Sequence, residues 1–303
     1  MTRKIKDVGA SVRARLLNAS REKGLGFDLV LTRYAVERLL YRLAESRSAD
    51  RFVLKGAALL MTWFEEPFRG TRDLDLLGFG DPAPEDLLRV FREILRRDYP
   101  DGVLFDADAL RVDRVREANP YGGLRLGTTA TIGGARVAVQ IDVGFGDAAE
   151  PPPEWLDYPV LLDMPAPRLR GYAVETVVAE KFHAIVLLGM ANSRMKDYFD
   201  LWMIRQSFGI DRSRLARAIS ATFARRGTEI PRETPDGLSK AFAESGTKRR
   251  QWESFRSGLR VDPGSLESVV GVLADWLVPA ALDAFKEPAA TGSQRRNRPA
   301  NPY

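Results

Sequence analysis

Apolar residues recur at helical spacing in both halves of the chain, with strand-like alternation between them. The clearest helical face lies in residues 28–46, where four apolar side chains follow the i, i+3, i+4, i+7 spacing of one side of a helix. These four are Val36, Leu39, Leu40 and Leu43. A basic, weakly amphipathic helix is predicted before them, over residues 1–26. Further helices are predicted over residues 57–64, 84–97, 173–190, 194–207, 212–226, 235–244 and 265–285.

Alternating apolar and polar residues predict four strands. They span residues 52–54, 73–79, 124–132 and 135–145. The last two flank Gly133-Gly134, a pair that suits a two-residue primed turn because both positions need a positive φ. A hairpin is therefore predicted, with Ile132 opposite Ala135. In that register three residues of one strand face three of the other, namely Arg125, Gly127 and Thr129 opposite Asp142, Gln140 and Ala138.

Two proline-rich stretches, at residues 151–153 and 165–167, indicate a domain boundary. Strands and helices alternate before it, and every later element is predicted to be helical. We therefore predict an α+β fold, with an N-terminal domain over residues 1–167 that carries a mixed sheet and a helical domain over residues 168–287. Residues 288–303 are rich in Pro, Asn and Arg, and are predicted to form a disordered basic tail.

The composition narrows the chemistry. The chain of 303 residues has no cysteine, which excludes disulfides, thiolate metal sites and cysteine nucleophiles. Its single histidine, His183, excludes a multi-histidine metal site within one chain, and we expect it to be a packed or surface residue. A metal ion would therefore be held by carboxylates, and hard oxygen ligands favour Mg²⁺ or Mn²⁺.

Charge and targeting signals bear on partners and location. The formal net charge of +5 favours a polyanionic partner such as RNA, although many basic proteins bind no nucleic acid. The basic N-terminus is not followed by an apolar signal core, and no apolar run is long enough to cross a bilayer. We therefore expect a cytoplasmic protein with no membrane partner.

Three acidic residues form the sharpest candidate site. Asp73 and Asp75 are two apart on a predicted strand, so their carboxylates lie side by side on one face. Without a cation they repel each other, whereas a divalent metal would relieve that repulsion; two solvated acids at an exposed strand end are the alternative. Asp142 lies on an otherwise small and polar strand face. A third carboxylate there is what a two-metal site needs, with ions about 3.5–4 Å apart.

Several ordered motifs resemble the AbiEii/AbiGii toxin family, which includes the mycobacterial MenT toxins and belongs to the polymerase-β-type nucleotidyltransferase superfamily. The motifs lie at residues 52–56, 69–75, 140–147, 175–181 and 192–200. The resemblance implies an N-terminal polymerase-β-type nucleotidyltransferase domain and a helical domain that completes the active-site cleft. One departure is Gly56-Ala57, where the superfamily usually has Gly-Ser or Gly-Gly, so no hydroxyl is available at position 57 to contact a phosphate.

The resemblance also implies residue roles. Asp73, Asp75 and Asp142 would hold Mg²⁺ or Mn²⁺, with Asp142 helping to activate the attacking hydroxyl. Lys181 would contact the triphosphate, and Asp200 would help to place it or the base. The residues expected to bind the nucleotide are Lys55, Gly56, Arg69, Thr71, Arg72, Lys181 and Asp197.

The activity implied is transfer of nucleotides, possibly from a pyrimidine NTP, to the 3′ end of tRNA, which would block aminoacylation. A cognate antitoxin encoded nearby is the implied protein partner. Two alternatives remain open. One is a nucleotidyltransferase that modifies a small molecule or a protein side chain, and the other is a non-catalytic module that binds an NTP or a partner. A basic lining of the cleft would favour RNA, and an acidic lining would favour a cationic small molecule.

Lys181 can also be interpreted without the resemblance. It lies seven residues after Val174, within an apolar helical stripe, where a lysine is costly to bury unless it is paired. Asp197 and Asp200 lie three apart on the next predicted helix, and either can meet it; Asp200 is favoured. A structural, salt-bridged lysine is the alternative. If Lys181 instead binds the triphosphate, Lys181→Met is expected to keep full stability and lose activity.

Overall fold

The computed structural model describes residues 7–64, 73–115 and 123–286. Three of the predicted nucleotide-binding residues, Arg69, Thr71 and Arg72, lie outside the described residues. The predicted disordered tail, residues 288–303, also lies outside them.

Eight strands of the described chain form one mixed sheet in the order β3-β5-β6-β2-β1-β8-β7, with β4 paired to β5. Two pairs, β2–β6 and β1–β8, are parallel, and the others are antiparallel. The strands are β1 (Phe52–Lys55), β2 (Asp73–Gly78), β3 (Val103–Phe105), β4 (Arg111–Val115), β5 (Gly123–Ile132), β6 (Ala135–Phe145), β7 (Glu154–Asp157) and β8 (Arg168–Gly171).

The predicted hairpin is confirmed in position and register. Strands β5 and β6 pair from Ile132 opposite Ala135 to Gly123 opposite Gly144, and Arg125 lies opposite Asp142 as predicted. The turn residues Gly133 and Gly134 both have positive φ. Four short strands, β3, β4, β7 and β8, were not predicted, because segments of three to five residues carry too little alternation to stand out.

The helices of the first half of the described chain are α1 (Val8–Lys23), α2 (Phe27–Ala44), α3 (Gly56–Leu60) and α4 (Pro84–Leu95). Helices α1, α2 and α4 pack against strands β5, β6 and β4, and this leaves the other face of these strands for the candidate site. On β6, alternate residues from Val137 to Phe145 are buried, while Ala138, Gln140 and Asp142 between them are not. Phe52 of β1 packs edge-to-face on Phe91 of α4, with ring centroids 5.2 Å apart. The polar residues of β6 therefore point away from the helices.

In the described residues from 168 to 286, all elements except strand β8 are helical. The helices are α5 (Val174–Leu188), α6 (Met195–Ser207), α7 (Arg212–Arg226), α8 (Lys240–Glu244), α9 (Gly246–Arg256) and α10 (Leu266–Lys286). Helix α9 was not predicted. Strand β8 lies within the predicted helical range but belongs to the sheet, where Gly171 pairs with Leu54 of β1. The division of the chain after residue 167 stays a prediction.

Of the described helices, α10 has the length and apolar composition of a membrane span, which differs from the expectation that no such run exists. Core helices of soluble proteins meet the same criterion, so it is weak support for a span. In the fold α10 packs on α6, α7 and α8, and eight of its residues are buried. Asp283 near its end pairs with Arg212 at 2.6 Å. These contacts attach one side of α10 to the helical half.

A buried arginine joins α2 to the chain before β3. The Arg42 guanidinium forks onto Asp101, with Nη1–Oδ2 and Nη2–Oδ1 distances of 2.6 and 3.1 Å. Its remaining N–H groups donate to the backbone carbonyls of Arg38, Arg97 and Val103. All five guanidinium donors are therefore satisfied. The pair is almost fully buried, and removing one partner would leave a charge without compensation.

We expect Asp101→Asn to lower the free energy of unfolding by about 3 kcal/mol, because Arg42 would keep its charge in a buried setting. The matched control is Asp108→Asn, since Asp108 pairs with Arg96 at 2.8 Å on an exposed surface. That change should cost less than about 1 kcal/mol. Urea unfolding of the three proteins measures both values, and equal costs for the two variants would contradict the prediction.

Candidate active site

Strand pairing brings Asp75 and Asp142 together. Strands β2 and β6 run parallel, with Asp75 opposite Asp142 and Asp73 opposite Gln140. Adjacent strands lie about 4.8 Å apart, so Asp75 and Asp142 are neighbours on one face. Asp73 shares that face because it lies two residues before Asp75 on the same strand. The three predicted metal ligands thus lie on one uncovered part of the sheet, although far apart in sequence.

Basic residues lie at both ends of this row of acids. On β1, Lys55 is opposite Asp75, and on β5, Arg125 is opposite Asp142. The row across four adjacent strands is therefore Lys55, Asp75, Asp142 and Arg125. The two carboxylates at its centre are flanked by one cation on each side, which offsets part of their mutual repulsion.

Glycine is required at position 56 because the Asp75 carboxylate leaves no space there for a side chain. The φ of Gly56 is +65°, a conformation that residues with a side chain rarely adopt. A Cβ atom at this position would lie 2.0 Å from the Asp75 Oδ2 atom. The Asp75 carboxylate therefore occupies the space of the missing side chain. The nucleotide contact predicted for Gly56 stays a prediction.

The surroundings of Asp75 raise the pKa of its carboxyl above the usual value. Burial raises the pKa of its carboxyl, and the charges of Asp142 and Asp73 raise it further. Lys55 and Lys196 act in the opposite direction but do not outweigh these effects. A divalent cation beside the three acids would favour the ionised form, so the electrostatics of Asp75 fit a site that binds one.

Asp142 is bound by Arg125 in a two-pronged contact. Arg125 Nε and Nη2 donate to Asp142 Oδ1 and Oδ2, each at 2.8 Å, and Gln140 Nε2 lies 3.4 Å from Oδ2. The carboxylate raises the pKa of Arg125. Arg125 was considered in the sequence only for the hairpin register. Its position opposite Asp142 was the signal that would have placed it in the site.

The donor set suits a hard cation, since Asp73, Asp75 and Asp142 offer only carboxylate oxygens. The close fit of the Asp75 carboxylate against Gly56 gives one of these donors a fixed place. Within the described residues, however, no three acidic or histidine side chains converge closely enough to bind one ion as they stand. The contact of Arg125 with both oxygens of Asp142 supplies a physical reason for this.

Lys55 connects the sheet to the helical half. Its Nζ lies 2.7 Å from Asp147 Oδ2 and 3.5 Å from Glu180 Oε1, and it stands over the ring of Tyr172. Arg226 of α7 lies 3.4 Å from Asp147 and 3.2 Å from Glu180. Burial lowers the pKa of Lys55, but Glu180, Tyr172 and Asp147 raise it well above its usual value. Lys55 is thus a charged residue with protein partners. Its predicted contact with the nucleotide stays a prediction.

His183 is packed next to this network, in keeping with its expected role. It is buried, its ring stands edge-to-face on Phe223, and its two nitrogens lie 2.9 Å from Thr228 Oγ1 and 3.2 Å from Arg226 Nη1. Burial and the charge of Arg226 lower the pKa of His183 to about 4. The ring is therefore neutral at physiological pH.

Lys181 lies in a second charged cluster, on α5 and α6. Its Nζ is 2.7 Å from Asp197 Oδ1 and 2.9 Å from Asp200 Oδ2, so both candidate acids meet it and the closer one is Asp197. Arg194 holds the other oxygen of Asp197 at 2.6 Å. Burial raises the pKa of Asp197, but Lys181 and Arg194 outweigh it and hold the pKa at about 2.

Lys196 adjoins the second cluster in sequence and was not singled out in the sequence analysis. It is an exposed residue in the first turn of α6, directly before Asp197, and its charge acts on Asp75. Its position in the motif over residues 192–200 was the signal available. The first turn of α6 therefore lies near enough to Asp75 for the charge of Lys196 to act on it. That the helical half completes an active-site cleft stays a prediction.

We expect Lys181→Met to lower the free energy of unfolding by about 3 kcal/mol, because it removes a cation from two buried carboxylates. This revises the expectation, drawn from the triphosphate-binding interpretation, that the variant stays fully stable. Asp200→Asn in the Lys181→Met background should recover part of the loss, as residues in contact are not additive. Lys240→Met is the control, since Lys240 pairs with Glu244 on an exposed surface. Thermal and urea unfolding measure these effects, and a Lys181→Met variant as stable as wild type would contradict the prediction.

The neutral His183 predicts a pH dependence. Between pH 6.5 and about 4 the unfolded chain protonates this histidine and the folded chain does not, so stability falls as the pH falls, by up to about 3 kcal/mol. Buried Glu37 gives a pH dependence of the opposite sign. Burial raises its pKa to about 7, so its contribution to the free energy of unfolding is lost as the pH rises from 4.5 to 7. The test is therefore a difference. Between pH 7.5 and pH 4.5, the free energy of unfolding of the wild type should fall by about 2–3 kcal/mol more than that of His183→Gln, as measured by urea unfolding. An equal fall in the two proteins would contradict a neutral His183 in the folded chain.

Comparison with known proteins gives the family and the fold of this chain. The family described as nucleotidyl transferase AbiEii toxin, type IV toxin–antitoxin system, matches residues 38–284. No curated protein sequence matches the chain. The fold is similar to MenT4, a nucleotidyltransferase toxin of Mycobacterium tuberculosis H37Rv, with a TM-score of 0.50 and 19% identity over 89% of this chain and 98% of that chain. JHP933 from Helicobacter pylori gives a TM-score of 0.47 and 13% identity over 82% of this chain and 94% of that chain.

At these identities the likeness to solved structures concerns the fold alone, and the predicted α+β fold with a mixed sheet is confirmed. The match to the family extends over most of the chain and includes both charged clusters. The predicted family is confirmed as well: this chain belongs to the AbiEii family of nucleotidyltransferase toxins.

Proposed function

We propose that the protein transfers a nucleotide from an NTP to the 3′-hydroxyl of an RNA, in a reaction that depends on Mg²⁺ or Mn²⁺ held by Asp73, Asp75 and Asp142. The observation that carries the proposal is the parallel pairing of β2 with β6, which sets Asp75 beside Asp142 on an uncovered sheet face. Two carboxylates held side by side repel each other, and a divalent cation bound between them would relieve that repulsion.

The proposed reaction is an in-line displacement at the α-phosphate of the NTP. The 3′-oxygen of the acceptor forms a bond to the α-phosphorus, the bond from that phosphorus to the α,β-bridging oxygen breaks, and pyrophosphate leaves. The hydroxyl proton passes to a carboxylate, for which Asp142 is the proposed acceptor. When bound, the metal ions would neutralise charge on the phosphate oxygens. Most of the rate enhancement would come from positioning and charge compensation.

The helical half would supply the opposite side of the site. Lys181 is proposed to act on the triphosphate, with Asp197 and Asp200 fixing its position, and exposed Lys196 is a further cation beside Asp75. Because Lys181 is already held by two acids, its effect on phosphate would be that of a fixed charge. Preorganised charges of this kind require little rearrangement during the reaction.

The charges around the three acids favour a polyanionic acceptor. Strands β4, β5 and β6 extend the uncovered face away from Asp142, and its exposed cations are Arg111, Arg125 and Arg136. Between them lie the exposed acid Asp113 and small or uncharged residues, namely Gly127, Thr129, Ala138 and Gln140. A flat surface of this kind fits an RNA end better than a cationic small molecule. We further propose tRNA as the acceptor and a cognate antitoxin as the regulator, in keeping with the toxin family.

We expect the purified protein to label total tRNA when given Mg²⁺ and one of the four NTPs, each tested with an α-³²P label. Asp75→Asn should lower transfer by at least about a hundredfold, because the central ligand loses its charge. EDTA should abolish transfer, and added Mg²⁺ or Mn²⁺ should restore it.

The control is Asp275→Asn, an exposed acid of α10 remote from the sheet, which should transfer at the wild-type rate. Thermal unfolding of each variant separates loss of chemistry from loss of fold. A folded Asp75→Asn variant with full activity would refute the proposed site. Labelling of a protein or small molecule but of no RNA would refute the proposed acceptor.

A further inference from the structure

Arg125 compensates the charge of Asp142 before any metal is bound. Its guanidinium contacts both carboxylate oxygens at 2.8 Å, and a two-pronged contact of this kind is among the stronger charge-assisted pairs. A divalent ion bound to the same oxygens would bring a second positive charge within a few ångströms of the guanidinium. Because the two cations repel each other, each weakens the binding of the other to Asp142.

A second acid lies on the other side of Arg125. Strand β4 pairs with β5 so that Asp113 is opposite Arg125, just as Asp142 is on β6. Directly opposed residues have Cβ atoms about 4.5–5.5 Å apart, so Arg125 can reach either carboxylate by turning its side chain. Asp113 is exposed and makes no ion pair within the described ranges. The Arg125 side chain is itself 44% exposed, which leaves it room to turn.

We propose that Arg125 is a positioning residue with two alternative partners. It holds Asp142 while the site has no metal, and it turns to Asp113 when a divalent ion takes Asp142. The inference rests on the proposed metal site and adds to it a residue that sets the affinity of that site. Across strands β1, β2, β6, β5 and β4, the row of charged residues is then Lys55, Asp75, Asp142, Arg125 and Asp113. Arg125 is the residue of this row that moves.

Binding of Mn²⁺, followed by the electron paramagnetic resonance signal of the free ion without any nucleotide, tests the proposal directly. Arg125→Gln should bind Mn²⁺ about three- to fivefold more tightly than wild type, the upper part of the range expected for loss of a well-formed, partly exposed ion pair. The matched control is Arg111→Gln, which removes one positive charge from the same face without releasing Asp142. It should tighten binding by less than about twofold, because charges further away are screened.

Arg125→Lys keeps the charge but cannot form the two-pronged contact, so its affinity should lie between those of wild type and Arg125→Gln. It also serves as the test variant if Arg125→Gln does not fold. Unchanged or weaker Mn²⁺ binding by the Arg125 variants, or an effect equal to that of Arg111→Gln, would overturn the proposal.

Asp113→Asn tests the second partner. With no acid to turn to, Arg125 should stay on Asp142, and Mn²⁺ binding should weaken in the wild-type background by about threefold. In the Arg125→Gln background the same change should have a clearly smaller effect. Equal effects in both backgrounds would show that Asp113 acts only through its own charge and would overturn the two-partner arrangement.

Two further variants separate this inference from the metal site on which it rests. Asp75→Asn and Asp142→Asn should each weaken Mn²⁺ binding. If they do so while Arg125 variants bind as wild type does, the metal site stands and the role of Arg125 is wrong. If neither matters, or if no variant binds Mn²⁺, the proposed metal site fails and the role of Arg125 fails with it.

Discussion

The in-register parallel pairing of β2 with β6 is the constraint on which the rest of the site depends. It places two carboxylates, Asp75 and Asp142, side by side where backbone hydrogen bonds fix their separation. Their repulsion cannot relax by moving the strands, because that would break the sheet. The fold instead sets Lys55 and Arg125 on the flanking strands. The pattern of charge across the sheet therefore follows from one strand pair.

Charge also holds the two halves of the chain in a common arrangement. Lys55 at the end of β1 reaches Glu180 on α5, and Arg226 on α7 reaches Asp147 after β6. These groups are mostly withdrawn from water, so each depends on its partners to stay charged. The same contacts that fix α5 against the sheet thus fix the position of Lys181, one residue after Glu180. Any change that breaks these contacts would therefore disturb both the position of Lys181 and the stability of the fold.

Structural features that depend on neighbouring residues could be predicted from the sequence. Features that depend on contacts between distant segments could not. The hairpin register followed from Gly133-Gly134 and strict alternation, and it placed Arg125 opposite Asp142 correctly. The parallel pairing of β2 with β6 joins segments about seventy residues apart, which no local pattern encodes. The lysine in the apolar stripe of α5 was recognised as needing a partner. Its stability role was underestimated because two acids, and not one, were found to hold Lys181. The assignment of catalytic residues remains a prediction.

The close approach of Asp75 to Gly56 limits how this protein can diverge. Any side chain at position 56 would collide with the carboxylate, and the positive φ there disfavours all residues but glycine. A substitution at position 56 would therefore become sterically easier only after Asp75 had been shortened, at the cost of the proposed chemistry. In a lineage that had lost its activity, both positions would be free to drift together. In an active lineage, selection would keep Gly56 and Asp75 together.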